Sequence, residues 1–279
     1  MSANTQVQPI LKWAGGKRQL VHCIGKYVPK HFSRYYEPFI GGGAVFLSLQ
    51  PSDAIINDSN WELINLYEVV RDAPNELISV LKWHQMNHSD EHYYFIRGLD
   101  RDPKQFKRLS NVELAARTLY LNKTCYNGLY RVNSKGQFNT PIGKYKNPNI
   151  VNEKAIRSLS DFFNRIRVKM SVGDYEEAIQ DINKNDFVYF DPPYQPISET
   201  SAFTSYTKEG FSKSEQFRLK AVCDELTRAG VKFLQSNSDS PEILELYREY
   251  PIVRIPARRF INSKPSRRAA VGELLIYNY

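Results

Sequence analysis

Phe187-Val188-Tyr189-Phe190-Asp191-Pro192-Pro193-Tyr194 is the stretch on which the reading of this chain turns. Its first four residues form a short, aromatic-rich apolar run of the kind that suits a buried strand. The run ends in an acid, two prolines and an aromatic. Each proline lacks a backbone N–H and pushes the residue before it towards an extended conformation. The strand therefore leaves the sheet through a stiff exit with a carboxylate at its mouth. The carbonyl oxygens of Asp191 and Pro192 stay free for an outside donor. A planar amine stacked on Tyr194 can give one hydrogen to the Asp191 carboxylate and the other to the Pro192 carbonyl. The segment reads as a receptor for an exocyclic amino group on a base, set against the plainer alternative of a strand followed by a proline-rich turn.

The chain on either side alternates short strands and helices. Upstream, strands are expected at 35–39 and 54–57, with a helix at 18–28 and a glycine-rich turn and helix between the strands. Downstream, strands are expected at 165–170, 187–190, 231–235, 252–255 and 272–279. Ser212-Lys213-Ser214-Glu215 reads as a capping box opening a long helix that Gly230 closes. Between residues 69 and 148 only helices are expected, at 74–86 and 111–122, followed by a long polar and aromatic loop. The fold class is α/β, a sheet domain made of residues 1–68 and 149–279, interrupted by a mainly helical insertion at 69–148.

The 279 residues carry a net charge of +8, and its location matters more than its size. From Arg97 to Pro148 there are eleven Lys/Arg against three Asp/Glu, while elsewhere 27 basic and 27 acidic residues cancel. All the excess charge lies in the insertion, which points to a polyanion such as nucleic acid, with a solvated basic face as the bland alternative. No run of 18 apolar residues exists, so no membrane span is expected. The polar first nine residues lack an apolar signal core. Cys23, Cys125 and Cys223 are too scattered for a metal cluster or a disulfide framework. A reduced cytoplasmic setting and no metal are expected.

Three further clusters carry chemistry. Glu37-Pro38-Phe39-Ile40-Gly41-Gly42-Gly43 follows a strand and precedes a helix, where glycines let backbone approach a ligand closely. A dinucleotide fingerprint fails because Phe46 takes its last glycine position, and no P-loop is present. The turn suits an adenosine-type ligand without a pyrophosphate. Asp58, at the end of the next strand, can take both hydroxyls of a ribose, or else cap the helix starting near Ser59. Lys12-Trp13-Ala14-Gly15-Gly16-Lys17 offers two cations and an aromatic to the carboxylate of an amino-acid-like ligand, or is a helix start. In the basic insertion, Tyr126-Asn127-Gly128-Leu129-Tyr130-Arg131 precedes Phe138-Asn139-Thr140-Pro141 and Gly143-Lys144-Tyr145-Lys146. Aromatics interleaved with cations and Asn suit base stacking or wedging, phosphate contact and base-edge readout. Arg131 can read a guanine, and Leu129 and Pro141 can touch a thymine methyl; ordinary turns are the competing reading.

Taken in order, K-W-A-G-G-K, E-P-F-I-G-G-G, N-D, Y-N-G-L-Y-R, F-N-x-P-x-G-K-Y-K and D-P-P-Y resemble the Dam-type DNA adenine-N6 methyltransferases, in the branch that includes the DpnII-system methylase. The resemblance spans nearly the whole chain and includes the loop 198–206. It implies a Rossmann-like S-adenosyl-L-methionine-dependent sheet with an inserted DNA-recognition domain. It implies cofactor contacts from Trp13, Lys17, Phe39, Gly41, Gly43, Asp58 and Asp191. It further implies methylation of adenine N6 in double-stranded GATC by base flipping, with Asp191, Pro192 and Tyr194 as the catalytic set. Lys12 would contact the first guanine and Arg131 the guanine paired with the final cytosine. Leu129 and Pro141 would lie by the thymine, Tyr126 would wedge into the stack, and Asn127 and Lys144 would also contact DNA. Departures are small: Gly42 stands where some relatives have alanine, and Lys123-Thr124-Cys125 precedes the Tyr-Asn-Gly core. A monomer is the expected state, and the modification half of a restriction–modification system the expected setting. Amino methylation of cytosine N4 or RNA adenine, or GATC binding without catalysis, are the alternatives.

Overall fold

The structure, a computed structural model, describes residues 7–194, 211–257 and 271–279. The loop 198–206 lies outside the described residues. Seven strands form one sheet: β1 (Tyr35–Glu37), β2 (Asp53–Asp58), β3 (Arg167–Val172), β4 (Phe187–Phe190), β5 (Lys232–Ser238), β6 (Ile252–Ala257) and β7 (Val271–Tyr277). Their order is β3-β2-β1-β4-β5-β7-β6. The first five run parallel, and β7 is antiparallel to both β5 and β6. All seven expected strands are present, with ends shifted by a few residues.

The two central strands are buried along their whole length, as expected for a parallel sheet covered on both faces. Tyr35, Phe187 and Tyr189 enter the apolar cluster on one face, packing with Phe46 and Phe162. Tyr36, Val188 and Phe190 enter the cluster on the other, with Leu219, Cys223 and Phe233. From β1 the chain winds outward through β2 and β3, then returns to β4 on the other side of β1. The β1/β4 junction is thus where the winding reverses, and the crevice beyond the carboxyl ends of such strands is the ligand site of open α/β sheets.

The segment between β2 and β3 is helical: Trp61–Asp72, Pro74–Met86, Asp90–Gly98, Pro103–Phe106, Asn111–Thr124 and Glu153–Arg165. Its apolar side chains, among them Leu77, Leu81, Tyr93 and Leu119, join the same cluster as Tyr35 and Phe46. Two of these helices, Asp90–Gly98 and Pro103–Phe106, were not expected. Each is short, and each is held at its start by a side-chain cap, Ser89 accepting from the His92 amide and Asp102 from the Lys104 and Gln105 amides. The expected helix at 18–28 is broken into a 3-10 turn, Lys17–Gln19, and a helix, Val21–Gly25. Lys17 is turned inwards and buried there. The polar loop after Thr124 carries two isolated antiparallel bridges, Cys125 to Ile142 and Val132 to Phe138. Among the described residues, no helix is long and apolar enough to cross a membrane.

Ser212 does cap Lys213–Arg228, but the reciprocal capping box belongs to Ser110 and Glu113. Gly230 ends the helix at φ +72°, its amide donating to the Thr227 carbonyl and that of Val231 to the Leu226 carbonyl. Ser110→Ala removes the capping hydroxyl, which accepts from Glu113 N at 3.3 Å. It should cost about 1 kcal/mol, read as a lower urea midpoint at unchanged slope. An unchanged midpoint would show that the cap contributes nothing.

Candidate active site

The carboxyl end of β1 leads through Pro38 and Phe39 into the glycine turn. Gly41 (φ +46°) and Gly43 (φ +66°) adopt left-handed backbone, which glycine allows without steric penalty. A side chain at Gly41 would meet the Trp13 indole at 2.9 Å, and one at Gly42 would meet Trp13 Cβ at 3.0 Å. The tryptophan of the first motif therefore lies directly on the second. The Tyr67 hydroxyl donates to the Gly41 carbonyl at 2.8 Å and fixes the turn from the helix behind. Phe39 packs its ring on Tyr175 and Phe211, with centroids 5.0 and 5.8 Å away.

Asp58 reaches across from the end of β2. Its Oδ2 accepts from the Gly41 amide at 3.0 Å and its Oδ1 from the Asn60 amide at 2.9 Å. It does not cap the following helix; Asn60 does, accepting from the Glu62 and Leu63 amides. Burial, partly offset by these two amides, pushes the Asp58 carboxyl up to about 6. A carboxylate has about four lone-pair sites, so one engaged by two backbone donors retains capacity for a diol.

Asp191 emerges from β4 next to this turn. Its Oδ1 accepts a charge-assisted bond from Lys17 Nζ at 2.6 Å. The same ammonium donates to the Gly15 carbonyl at 2.9 Å, approaches Glu273 Oε1 of β7 at 3.5 Å and lies 4.6 Å from the Tyr194 ring centroid. Burial works to lower the Lys17 pKa, but Asp191 and Glu273 together hold it above the usual lysine value. Lys17 is therefore a cation here and not a base. Burial pushes Asp191 up to about 6, against the pull of Lys17. Behind it, Glu37 is buried and accepts from the Tyr35 hydroxyl at 2.6 Å. Its pKa is driven well up by burial.

The basic loop meets the same edge through Asn122. This fully buried amide accepts from Lys12 N at 2.9 Å and donates to the Lys12 and Gly128 carbonyls at 2.7 and 3.1 Å. It locks the Lys12-Trp13 backbone to the Tyr-Asn-Gly core. Lys12 is exposed and its ammonium lies 4.8 Å from the Tyr145 ring centroid. Tyr126 is 54% exposed, and Asn127 beside it is left-handed at φ +56°. Pro141 and Lys144 are exposed, Leu129 half-buried. The Arg131 side chain is aimed by Asn139, whose Oδ1 accepts from Arg131 Nε at 2.7 Å. Cys125 is buried, and burial pushes its thiol up to about 12.

The structure thus brings Trp13, Lys17, Phe39, Gly41, Gly43, Asp58, Asp191 and Tyr194 to one sheet edge. Lys12, Tyr126, Asn127, Leu129, Arg131, Pro141 and Lys144 lie along the adjoining loop. Asn122, Tyr67 and Glu273 organise the site and were not anticipated; they are single polar or aromatic residues inside helices or strands, with no local signal. Asn139 belongs to a motif read from the sequence, but its hold on Arg131 was not foreseen.

A model of the D12 class N6 adenine-specific DNA methyltransferases matches residues 13–261. The chain is 48% identical over 273 residues to the type II methyltransferase M1.LlaDCHI of Lactococcus lactis subsp. cremoris, covering 98% of this chain and 96% of the relative. It is 39% identical over 290 residues to the type II methyltransferase M.MjaIII of Methanocaldococcus jannaschii, covering 98% and 100%. It is 33% identical over 272 residues to the DNA adenine methylase of Escherichia coli (strain K12), covering 95% and 93%. With the family pattern laid over this sheet edge from end to end, the chain belongs to the D12 class of N6 adenine-specific DNA methyltransferases.

Proposed function

We propose that this enzyme moves a methyl group from S-adenosyl-L-methionine to adenine N6 in double-stranded GATC, with the base flipped into the pocket of Asp191, Pro192 and Tyr194. One observation carries the pocket assignment: a nitrogen donor, the Lys17 ammonium, already sits between an Asp191 oxygen (2.6 Å) and the Tyr194 ring (4.6 Å). An exocyclic amine asks for the same two partners. Extruding the base costs a few kcal/mol, which stacking on Tyr194 offsets in part. Asp191 and the Pro192 carbonyl accept the two N6 hydrogens and leave the nitrogen lone pair less committed to the ring. A carboxyl with a pKa of about 6 is far too weak to deprotonate a neutral amine, so the proton leaves after transfer. It passes from the methylated, now cationic nitrogen to the Asp191 carboxylate and on to solvent, while cleavage of the sulfonium–methyl bond would leave S-adenosylhomocysteine. The Asp191 carboxylate has lone-pair sites for both Lys17 and the incoming amine, and a ligand carboxylate is a further acceptor that suits the Lys17 charge.

The bound cofactor supplies an electrophilic methyl on a sulfonium. Asp58 fits its ribose, a half-buried carboxylate with two backbone donors and spare lone pairs. The turn at Gly41 and Gly43, with Trp13 and Phe39, suits close contact with the rest. Residues 69–148 form the proposed target-recognition segment, inserted between 1–68 and 149–279. Within it Arg131 would read one guanine, Leu129 and Pro141 the thymine, with Tyr126 as the wedge and Asn127 and Lys144 as further contacts, while Lys12 from the 1–68 part would read the other guanine. A buried Cys125 with its thiol near 12 suits no covalent attack on cytosine C5. Two relatives named as type II methyltransferases support a place as the modification half of a restriction–modification system.

Two duplexes differing only in GATC against GTTC test the reaction. Labelled methyl should appear as N6-methyladenine in the first alone; equal labelling of both would overturn the site.

The pH profile tests the pocket. Asp191 accepts amine hydrogens only when ionised, so kcat/KM for DNA should fall about tenfold per pH unit below about 6 and level above it. Asp58 titrates in the same window, so kcat/KM for the cofactor should fall on the same side. Both carboxyls titrate higher folded than unfolded, so acidification from 6 towards 3.8 stabilises the fold through them. His84, lowered to about 4 by burial, and His88 and His92, lowered likewise, work the other way, so a thermal melt at each pH separates lost activity from unfolding. A flat profile between pH 5 and 7 would contradict the role of Asp191.

A further inference from the structure

Beneath the recognition loop lies a charged cluster that no step above uses. Arg117, in the middle of the helix Asn111–Thr124, is 1% exposed. Its Nη1 donates to Glu62 Oε1 at 3.1 Å and its Nη2 to Asp100 Oδ2 at 2.6 Å. Its Nε donates to the Ile96 carbonyl at 3.1 Å and Nη2 also to the Arg97 carbonyl at 3.2 Å. Every contact is to another element, and each carboxylate then continues outward. Glu62 Oε2 accepts from the Tyr130 hydroxyl at 3.1 Å. Asp100 Oδ2 accepts from the Phe138 amide at 2.8 Å.

Tyr130 and Phe138 lie on the two arms of the loop, with ring centroids 5.5 Å apart. Residue 131 follows one and residue 139 the other, and Arg131 Nε is held by Asn139 Oδ1. The arms pair briefly around the Val132–Phe138 bridge, with the Asn139 amide donating to the Arg131 carbonyl and the Asn133 amide to the Gln137 carbonyl, each at 2.9 Å. Side chains from below add to this short ladder and fix where it sits, including Arg101 on the Phe138 carbonyl, and Tyr93 and Arg97 on the Thr140 carbonyl. A buried charge triad of this kind gives little net stability for its desolvation cost, but it specifies one geometry sharply.

We infer that the Arg117–Glu62–Asp100 cluster is a specificity-positioning element: it sets the separation of the two loop arms and so the aim of the Arg131–Asn139 pair at its base. Arg117 touches no substrate and acts only through Tyr130 and Phe138. The inference rests on the GATC reading, in which Arg131 faces the last base pair. The cluster's consequence is therefore position-specific. Loosening it relaxes discrimination at the pair read by Arg131 far more than at the pair read by Lys12, whose backbone is held by the Asn122 side chain and not by the cluster's own hydrogen bonds.

Tyr130→Phe deletes one hydroxyl and keeps the ring that stacks on Trp13 at 5.4 Å. Asp100→Asn is the second variant, keeping shape while removing charge. For each, kcat/KM is measured for transfer to one strand only, the opposite-strand target adenine being already N6-methylated, on GATC, on GATT (last pair changed) and on CATC (first pair changed), beside thermal melting and S-adenosylhomocysteine binding. We expect the GATC/GATT ratio to fall at least about tenfold, chiefly through DNA KM, with the GATC/CATC ratio within about threefold of the unmodified enzyme. Cofactor affinity should stay unchanged. Equal loss at both pairs, or unchanged ratios in a variant that melts normally, would overturn the inference. Should the unmodified enzyme prefer another sequence, the GATC reading fails, and the same position-by-position profile over the preferred site decides the role of the cluster.

Discussion

The parallel pairing of β1 with β4, Tyr35 opposite Phe187 and Tyr36 opposite Val188, is the constraint on which the site depends. Two short strands, about 150 residues apart in the chain, end side by side because their apolar residues fill both faces of the sheet. Whatever follows each strand is then delivered to the same crevice. After β1 comes a turn that backbone alone can shape; after β4 comes a stiff exit carrying a carboxylate and an aromatic. Neither motif makes a site by itself. Their adjacency does, and the core that enforces it is made of residues with no chemistry of their own.

Within that crevice the Lys17–Asp191 pair sets the electrostatics. A lysine so fully buried would be costly without a partner, and here Asp191 and Glu273 provide two negative charges for it. The arrangement keeps Lys17 a cation and leaves Asp191 a carboxylate above about pH 6. Pairing with Asp191 is compatible with the cofactor contact proposed for Lys17, because an ammonium has three donors and can hold more than one acceptor at once.

The sheet was legible in the sequence because each strand is an apolar run bounded by turn residues, and because alternation with helices implies parallel pairing. The site was legible where chemistry and strand ends coincide, as at Asp58 and Asp191. What could not be read was whatever depends on distant partners. Asn122 looks like any helical asparagine, yet its amide spans to Lys12, 110 positions away. Lys17 read as one of two cations before a helix, suited to a ligand carboxylate, and only the packing of Glu273 and Asp191 around it accounts for its burial. The loop after Thr124 read as polar coil because its backbone pairing is short and isolated and the rest of its support comes from Arg, Asp and Tyr side chains beneath it, for which no periodicity exists.

The central claim, that the Asp191 carboxylate accepts the amine of a flipped adenine, is tested most directly by single-turnover methyl transfer with Asp191→Asn, alongside 2-aminopurine fluorescence at the target position. The account predicts that the variant still binds cofactor and still extrudes the base, while transfer slows by at least about a hundredfold. Transfer within about tenfold of the unmodified enzyme, with extrusion intact, would contradict it.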